Sequence, residues 1–360
     1  MINSFVIDSF RGIRDLHVNE LNEINLIVGD NNSGKTSILE ALLLLRNPSD
    51  FANVIKVTRA RNSTPFEGMT ASYENFICMF PHDGPTMEIG VSAVSDGEIV
   101  SCVLHGQQHR VLLDESELKD RFIRSEIDRD METDEFKGKL FYTNRGDSGE
   151  IDIRYNPFVS LSGTTISRRK AINIAYLSPC DHLSGSIINR IARSDRYKEI
   201  CIKTLQLFDP DIIDMMILKS TIGNTPAEYL KHRRLGIMPL STFGDGIKKV
   251  LVLANAIAQA SGGILLIDEV ETSIHKKYFD DIFRFLTKSC EAFHVQLFIT
   301  THSIEAIDCL LATQDYNEQN EIDNINVITV KRLGNKSYSR VLSGREVAAD
   351  REAFGFEVRL

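Results

Sequence analysis

The sequence lacks the features that direct a chain into or across a membrane. No stretch of about 18 consecutive apolar residues occurs, so no membrane-spanning helix is expected. Residues 1–16 contain no basic segment followed by a long apolar stretch, which argues against a secretory signal. We therefore expect a cytoplasmic protein with no membrane partner.

Paired cysteines and an excess of basic charge are missing as well. The six cysteines show no short paired spacing, so neither a zinc site nor a disulfide framework is expected, and a reducing compartment fits. The 41 basic and 50 acidic residues give a net charge of −9. That balance argues against a bulk electrostatic grip on nucleic acid, although a local basic patch could still bind DNA.

A phosphate-binding loop is present in its full context. Residues 24–28 are a short apolar run typical of a buried strand, and a helix is predicted over residues 36–46. Between them, residues 29–36 read Gly-Asp-Asn-Asn-Ser-Gly-Lys-Thr and match G-x-x-x-x-G-K-[ST]. Glycines let backbone N–H groups surround a polyphosphate, and the helix N-terminus attracts the same anion. The pattern predicts nucleotide binding.

This loop supplies the first candidate site residues. Lys35 can neutralise the β- and γ-phosphates and is predicted to be both a binding and a catalytic residue, while the Thr36 hydroxyl can bind Mg²⁺. We therefore predict ATP and Mg²⁺ as cofactors. The other predicted binding residues here are Gly29, Asn31, Asn32, Ser33, Gly34 and Ser37.

A second apolar strand, residues 264–267, ends in two acidic residues. Ligands of α/β sheets lie at the carboxyl ends of strands, so this strand and the one before Gly29 can deliver residues to one site. Asp268 is predicted to hold Mg²⁺, and Glu269 to polarise the attacking water. The alternative is an acidic helix cap after a core strand.

A third strand is predicted within residues 295–303. It also ends in polar residues, and among them His302 can sense the γ-phosphate from the same sheet edge. A purely structural histidine is the alternative for His302 taken alone. Its position just past a core strand favours the site.

Together these motifs resemble those of ATP-binding cassette ATPases. Residues 29–36 resemble Walker A, residues 264–269 resemble Walker B, and His302 resembles the histidine switch. Residues 1–47 and 236–312 are similar to the soluble branch that holds SMC-like repair ATPases and the OLD family. The resemblance implies an α/β P-loop fold with a mixed central sheet, an antiparallel β-lobe and a helical lobe.

The same resemblance implies a homodimer, or a higher oligomer, whose sites are shared between subunits. One subunit provides Walker A and Walker B, and the other provides a signature loop at a helix N-terminus, usually a serine followed by two glycines. The serine position holds a glycine in this chain, and Ser241 or Thr242 could substitute for it. The predicted signature residues are Gly244, Asp245 and Gly246.

Two lysines follow the signature residues. Lys248 and Lys249 could reinforce an anion site there, or they could be solvated. A glycine turn before a core helix is the alternative interpretation of the whole stretch. In the Walker B region, the second glutamate and the histidine that are usual in this branch are Glu271 and His275.

The predicted organisation is a single ATPase domain over residues 1–360. An exposed helix or mobile insertion is expected at 114–135, helical structure over 183–235, and a hairpin turning at Gly334-Asn335. No Toprim nuclease domain, which OLD proteins carry after the ATPase, is expected after that hairpin. The predicted parts are a β-lobe with Walker A (1–112), an insertion and helical lobe (113–235), the signature, Walker B and histidine switch (236–332), and a hairpin and tail (333–360).

Three functions remain open from the sequence. The first is an ATPase that dimerises around ATP and regulates a separate effector, a nuclease or toxin, in bacterial anti-phage defence, as the resemblance implies. The second is an SMC-like DNA-repair ATPase, and the third is an ATP-gated scaffold that hydrolyses slowly because the signature serine is replaced. Basic clusters at 168–170, 190–198 and 231–234 could bind DNA or a partner, or could be solvated helix faces.

Overall fold

The chain divides into two compact units in the computed structural model. Unit 1 comprises residues 1–21, 31–172 and 330–340, and unit 2 comprises residues 22–30, 173–329 and 341–360. The structure describes residues 1–58, 60, 69–81, 87–112, 132–158, 171–181, 188–191, 195–219, 226–272, 274–316 and 322–354.

The strands and helices of these described residues are as follows. The strands are β1 (Ile2–Phe10), β2 (Ile13–Val18), β3 (Ile24–Val28), β4 (Met87–Ser95), β5 (Glu98–Leu112), β6 (Glu132–Asn144), β7 (Asp147–Tyr155), β8 (Ile174–Leu177), β9 (Ile212–Lys219), β10 (Pro226–His232), β11 (Gly236–Pro239), β12 (Ile264–Ile267), β13 (Gln296–Thr300), β14 (Ile325–Leu333) and β15 (Lys336–Ser343). The helices are α1 (Lys35–Leu44), α2 (Phe51–Thr58), α3 (Met69–Ile77), α4 (Ile188–Ile191), α5 (Asp195–Phe208), α6 (Asp245–Ala260), α7 (Phe279–Ala292), α8 (Ile304–Leu311) and α9 (Gly344–Phe354).

A six-stranded antiparallel sheet forms most of unit 1, in the order β2-β1-β4-β5-β6-β7. The tight turn between β4 and β5 places Asp96 and Gly97 at φ values of 52° and 82°, the conformation that two-residue hairpins favour. The sheet continues through β6 and β7 as far as Tyr155. The antiparallel strands therefore extend beyond the residue 112 boundary that the sequence suggested.

Aromatic side chains form the core beside this sheet. Phe76 packs edge-to-face against four other rings, with centroid distances of 5.1 to 5.6 Å, and the four are Phe51, Phe80, Phe136 and Tyr155. Such pairs contribute roughly 0.5–1.5 kcal/mol each beyond the burial of their area. The cluster ties α2 and α3 to β6 and β7.

A buried ion pair anchors α1 in unit 1. Arg11 lies in the β1–β2 turn, and its Nε is 2.9 Å from Oε2 of Glu40 on α1. The Glu40 side chain is fully buried, whereas that of Arg11 is 17% exposed. A buried carboxylate needs such a partner because its isolated charge would be costly to remove from water.

The second six-stranded sheet has a parallel centre and belongs mainly to unit 2, in the order β15-β14-β3-β13-β12-β8. Each neighbouring pair from β14 to β8 is parallel. Strands β3, β12 and β13 are buried along their whole length, as strands covered on both faces should be. The predicted hairpin of β14 and β15 is confirmed, with Gly334 at φ 61° in its turn. The fold is α/β with mixed sheets, as the sequence predicted.

The expectation of helical structure over residues 183–235 is wrong in its second half. Helices α4 and α5 occupy residues 188–208, but β9, β10 and β11 then form a three-stranded antiparallel sheet. Residues 212–219 are mostly Ile, Met and Leu without a helical stripe, and their backbone groups pair with those of β10. Tertiary pairing thus settled a segment whose local pattern was ambiguous.

The expected exposed helix or insertion at 114–135 is contradicted at its end, because residues 132–135 begin β6. Residues 113–131, like the basic cluster at 168–170, lie outside the described residues. All six cysteines are unpaired, as expected. None of the described helices is long and apolar enough to cross a membrane.

Candidate active site

The carboxyl ends of β3, β13 and β12 lie side by side at one edge of the parallel sheet. Thr300 of β13 pairs with Ile27 of β3, and Ile299 pairs with Ile267 of β12. The chain beyond these ends is Gly29 after β3, Asp268 after β12, and residues 301–302 after β13. The sequence-based expectation that these strand ends share an edge is therefore confirmed within unit 2.

The phosphate loop begins in unit 2 and enters unit 1 between residues 30 and 31. It needs left-handed backbone at three positions, with φ values of 148° at Gly29, 66° at Asn32 and 97° at Gly34. Gly34 precedes the first residue of α1 and offers no side-chain cap to it, and the first turn of α1 contains no acidic residue. An anion is therefore not opposed by any side-chain charge of that turn.

A phosphate group fits this loop on two further observations. The Ser33 hydroxyl is buried without a hydrogen-bond partner among the described residues, so it is available to a ligand. A Cβ on Gly34 would lie 3.2 Å from Cγ1 of Ile13, so a side chain there would require Ile13 to shift and would be strained by the left-handed backbone. Lys35 follows directly and is itself buried.

Asp268 is held by the neighbouring strand. The residue is 4% exposed, and its Oδ1 accepts a hydrogen bond from Oγ1 of Thr300 at 2.6 Å. The same hydroxyl oxygen accepts from the backbone N–H of Glu269 at 2.8 Å. Because one threonine fixes both the carboxylate and the next backbone group, the orientation of the acidic pair is set by β13. A nearly buried carboxylate of this kind is a suitable ligand for Mg²⁺.

Glu269 and His302 face each other at the edge of the site. Glu269 has a left-handed backbone with φ 46°, which is uncommon for a residue with a side chain. Its Oε1 is 3.8 Å from Nε2 of His302, and the two side chains are 42% and 38% exposed. Oε2 of Glu269 also accepts a hydrogen bond from Thr272 at 3.3 Å. A strained, partly exposed carboxylate beside an imidazole can act on a water molecule or a phosphate.

Glu271 holds the loop that carries His302. Its Oε1 accepts from the backbone N–H of His302 at 2.8 Å, and its Oε2 accepts from Oγ1 of Thr301 at 2.9 Å. From sequence, Glu271 is only the second glutamate usual in the branch. The structure assigns its contacts, which no sequence pattern contained.

The predicted signature residues stand at the beginning of α6. Gly244 is the N-cap, with φ −65° and ψ 159°, and no side chain caps the helix. Asp245 accepts a hydrogen bond from Lys248 at 3.0 Å. The Thr242 hydroxyl donates to the carbonyl oxygen of Pro239 at 2.7 Å. Its hydrogen is therefore not available to a phosphate oxygen, as it would have to be if Thr242 replaced the missing serine.

Two features of unit 2 were missed from the sequence. Strand β8 is parallel to β12, and after its end the backbone N–H of Ser178 donates to Oδ2 of Asp181 at 2.7 Å. Lys249 is completely buried. Of its two interpretations from the sequence, an anion-binding residue or a solvated one, the solvated one is therefore wrong. The signal for β8 was a four-residue apolar run before a Ser-Pro turn.

The basic cluster at 231–234 is engaged with acids of its own unit. Nε2 of His232 is 3.2 Å from Asp209, while its Nδ1 accepts from the backbone N–H of Arg234 at 3.2 Å. Asp211 pairs with Arg234 and with Arg233, at 2.5 and 3.6 Å. Both ring nitrogens of the histidine are therefore used, which leaves no imidazole lone pair for a metal. A structural role explains this cluster.

Two protein-family models match the chain. One, described as "AAA ATPase domain", matches residues 1–140, and the other, described as "AAA domain, putative AbiEii toxin, Type IV TA system", matches residues 189–308. The first includes the phosphate loop, and the second includes the signature residues and the Asp268–His302 region.

The chain is also similar to two relatives and to a solved structure. An "ATP/GTP phosphatase" of Helicobacter pylori is 22% identical over 89% of this chain and 91% of its own length. An uncharacterized protein of Methanocaldococcus jannaschii is 34% identical over 32% of this chain and 98% of its own length. The head domain of an SMC protein, solved bound to the C-winged helix domain of ScpA, is 13% identical with a TM-score of 0.51, and the likeness covers 96% of this chain and 99% of that one.

Fold, site and family matches together define the class of the protein. It is an ATPase whose α/β fold is similar to that of an SMC head, and residues 1–140 and 189–308 match AAA domain models.

Proposed function

We propose that the chain hydrolyses Mg-bound ATP in a site shared by two copies, and that this cycle controls a separate effector protein. The observation that carries the proposal is the common edge of β3, β13 and β12, where a phosphate loop, an acidic pair and a histidine follow three adjacent parallel strands. This set of groups is suited to hydrolysing a nucleoside triphosphate.

Each residue has a distinct task in this proposal. Lys35 and the backbone of residues 29–37 bind the phosphates. Thr36 and Asp268 would hold Mg²⁺, which would offset the charge that develops on the transferred phosphoryl group. Glu269 accepts a proton from the attacking water, and His302 orients that water or the γ-phosphate from the facing position. The hydrogen bonds of Thr300 and Glu271 keep these groups in place.

Sharing of the site is supported by the N-terminus of α6. Residues 244–246 open a sixteen-residue helix whose N-cap has no side-chain partner. The acidic Asp245 in its first turn is paired with Lys248 at 3.0 Å, so the helix dipole and backbone N–H groups can still receive an anion. In the family that the sequence resembles, this anion is the γ-phosphate held by the second subunit. A homodimer closed by two ATP molecules follows from that arrangement.

The identity of the effector class rests on resemblance. One matching family model carries the AbiEii toxin and type IV toxin–antitoxin description, and the anti-phage systems of the resembled branch pair an ATPase with a nuclease or toxin. We therefore propose such a partner in bacterial anti-phage defence. DNA that stimulates ATP hydrolysis in a salt-sensitive way would favour the DNA-repair role instead.

A specific observation also favours slow hydrolysis. The signature serine is replaced by Gly244, and the hydroxyl of Thr242 is bonded to Pro239. Neither position 244 nor Thr242 therefore supplies a hydroxyl to the γ-phosphate, and the proposed cycle keeps ATP bound for long periods. Tight ATP binding without turnover would leave the chain as an ATP-gated scaffold.

The proposal is tested with Glu269→Gln. Loss of the carboxylate is expected to lower turnover by about 100-fold or more, because a general base contributes that much, while ATP binding remains. Mass measured by light scattering with saturating Mg-ATP is expected to double relative to the nucleotide-free variant. A variant that stays monomeric under these conditions contradicts the shared site, and one that turns over at the original rate contradicts the role of Glu269.

A further inference from the structure

Lys249 on α6 is an anomaly in the interior of unit 2. Its side chain is fully buried, and its Nζ has no hydrogen-bond partner among the described residues. Buried ammonium groups are usually paired, because an isolated charge away from water is costly and an unmet donor costs about 1–3 kcal/mol. A methionine or leucine would fill this helix position without that cost, so a structural purpose does not explain the lysine.

The course of α6 shows where this amino group lies. The helix packs on β8 and β12, and a three-residue turn joins its end to the start of β12, so helix and strand run in opposite directions. At about 1.5 Å per residue, Lys249 lies about 16 Å before the end of α6 at Ala260. The four residues of β12 extend about 13 Å. Lys249 is therefore level with the carboxyl end of β12.

Acidic residues that follow β8 and β12 act on Lys249 through their charge. Burial lowers the pKa of Lys249, and the charges of Asp181 and Glu271, with a smaller contribution from Asp268, act in the opposite direction. Asp181 follows β8, and the two others follow β12. When Lys249 is charged, its attraction to these acids is screened only weakly, because little water reaches a buried amino group.

Glu271 is the carboxylate through which Lys249 can reach the site. Its two oxygens hold the Thr301 hydroxyl and the backbone N–H of His302. We propose that Lys249 is a positioning residue for ATP hydrolysis, whose buried amino group steadies the Glu271 carboxylate and so couples the signature end of α6 to the His302 loop.

This inference rests on the proposed function and adds a route within it. An anion that docks on residues 244–246 pulls on the first turns of α6, and Lys249 lies in the second turn. Its attraction to Glu271 passes that displacement to the backbone of His302, so docking of a second copy and the placement of the histidine become linked. Lys249 touches neither substrate nor metal in this scheme.

The test is Lys249→Met, with Lys203→Met as the matched control. Lys203 lies on the neighbouring helix α5, is 71% exposed and is far from the site residues in sequence. For Lys249→Met we expect kcat to fall by about 10-fold or more, as for other residues that orient a catalytic group, with the Kd for Mg-ATP changed by less than about twofold. Its Tm is expected to stay equal or to rise, because an unmet buried amine is removed. The control should leave all three quantities unchanged.

A double-mutant cycle checks the route through Glu271. Glu271→Gln is expected to lower kcat similarly, and the double variant should be no slower than either single one, because both remove the same coupling. The route is overturned if the losses in kcat of the two single variants multiply in the double variant. It is also overturned if kcat is unchanged in Lys249→Met, or if kcat and Tm of that variant both fall. If the unaltered protein does not hydrolyse ATP, the proposed function itself fails; if it does and Lys249→Met matches it, only the present inference fails.

Discussion

Helices α1 and α6 both begin after a glycine, but the backbone conformation and the surroundings of the two glycines differ. Each starts after a glycine N-cap that supplies no side-chain hydrogen bond, and each is predicted to face phosphate. Gly34 before α1 has a left-handed φ of 97° and lies against Ile13, so a side chain there would be strained. Gly244 before α6 has φ −65°, and a Cβ added to it would meet no atom within 4 Å, so glycine is not required. One glycine is dictated by geometry and the other is not.

The buried charges of the two helices differ in the same way. Glu40 on α1 is fully buried and paired with Arg11 at 2.9 Å. Lys249 on α6 is fully buried without a hydrogen bond among the described residues. The pair at α1 holds the phosphate-loop helix in place, whereas Lys249 on α6 buries an amino group whose donors are not met among the described residues. The buried charge on α1 is therefore stabilised by its partner, whereas the buried lysine on α6 lowers the stability of the fold near the proposed site.

The largest effect is expected at the start of α1. Lys35→Ala should weaken binding of Mg-ATP by about 100-fold or more, equivalent to about 2.7 kcal/mol, because a charged contact to the phosphates is lost. Calorimetric titration measures it, and Lys203→Ala on an exposed part of α5 serves as the control. Unchanged ATP affinity in Lys35→Ala would remove the assignment of the phosphate loop.

The variant Glu40→Gln tests whether the paired buried charge on α1 contributes more to stability than the unpaired one on α6. The variant leaves the guanidinium of Arg11 without its carboxylate, so the free energy of unfolding should fall by about 3 kcal/mol. Denaturant unfolding measures this fall beside that of Lys249→Met, for which no loss is expected. Equal losses in the two variants would erase the distinction between a paired and an unpaired buried charge.

The smallest effect is expected when the same residue is placed at both N-caps. Gly34→Ser forces a side chain into left-handed backbone and should cost about 1–3 kcal/mol, whereas Gly244→Ser should change stability by less than about 0.5 kcal/mol. The serine at 244 restores the hydroxyl usual in the resembled family, so turnover should rise by about 10-fold, the worth of one hydrogen bond to a charged group. Unfolding and steady-state kinetics measure the two effects. A turnover that stays unchanged in a stable Gly244→Ser would show that the missing hydroxyl does not limit the rate.

The local sequence predicted the elements whose signals lie within a few residues. Residues 24–28 and 264–267 are apolar runs bounded by glycine or acid, and both form strands with the expected bounds. The phosphate loop and the helix after it were predicted equally well, with α1 beginning at Lys35, one residue earlier than expected. Strands β9 to β11 were not predicted, because their apolar residues suit a helix or a strand, and only pairing with one another settles the choice.

The candidate site was defined from the residues alone, as a phosphate loop, an acidic pair and a histidine, each following a core strand. The side chains that hold these groups became known only from the packed fold. That Thr300 fixes Asp268 and Glu271 fixes His302 depends on the order β3-β13-β12, which brings together residues about thirty positions apart in the chain. The burial of Lys249 could not be predicted from the sequence either, because a lysine next to another lysine is usually exposed to water. Only the packing of α6 on β8 and β12 buries it.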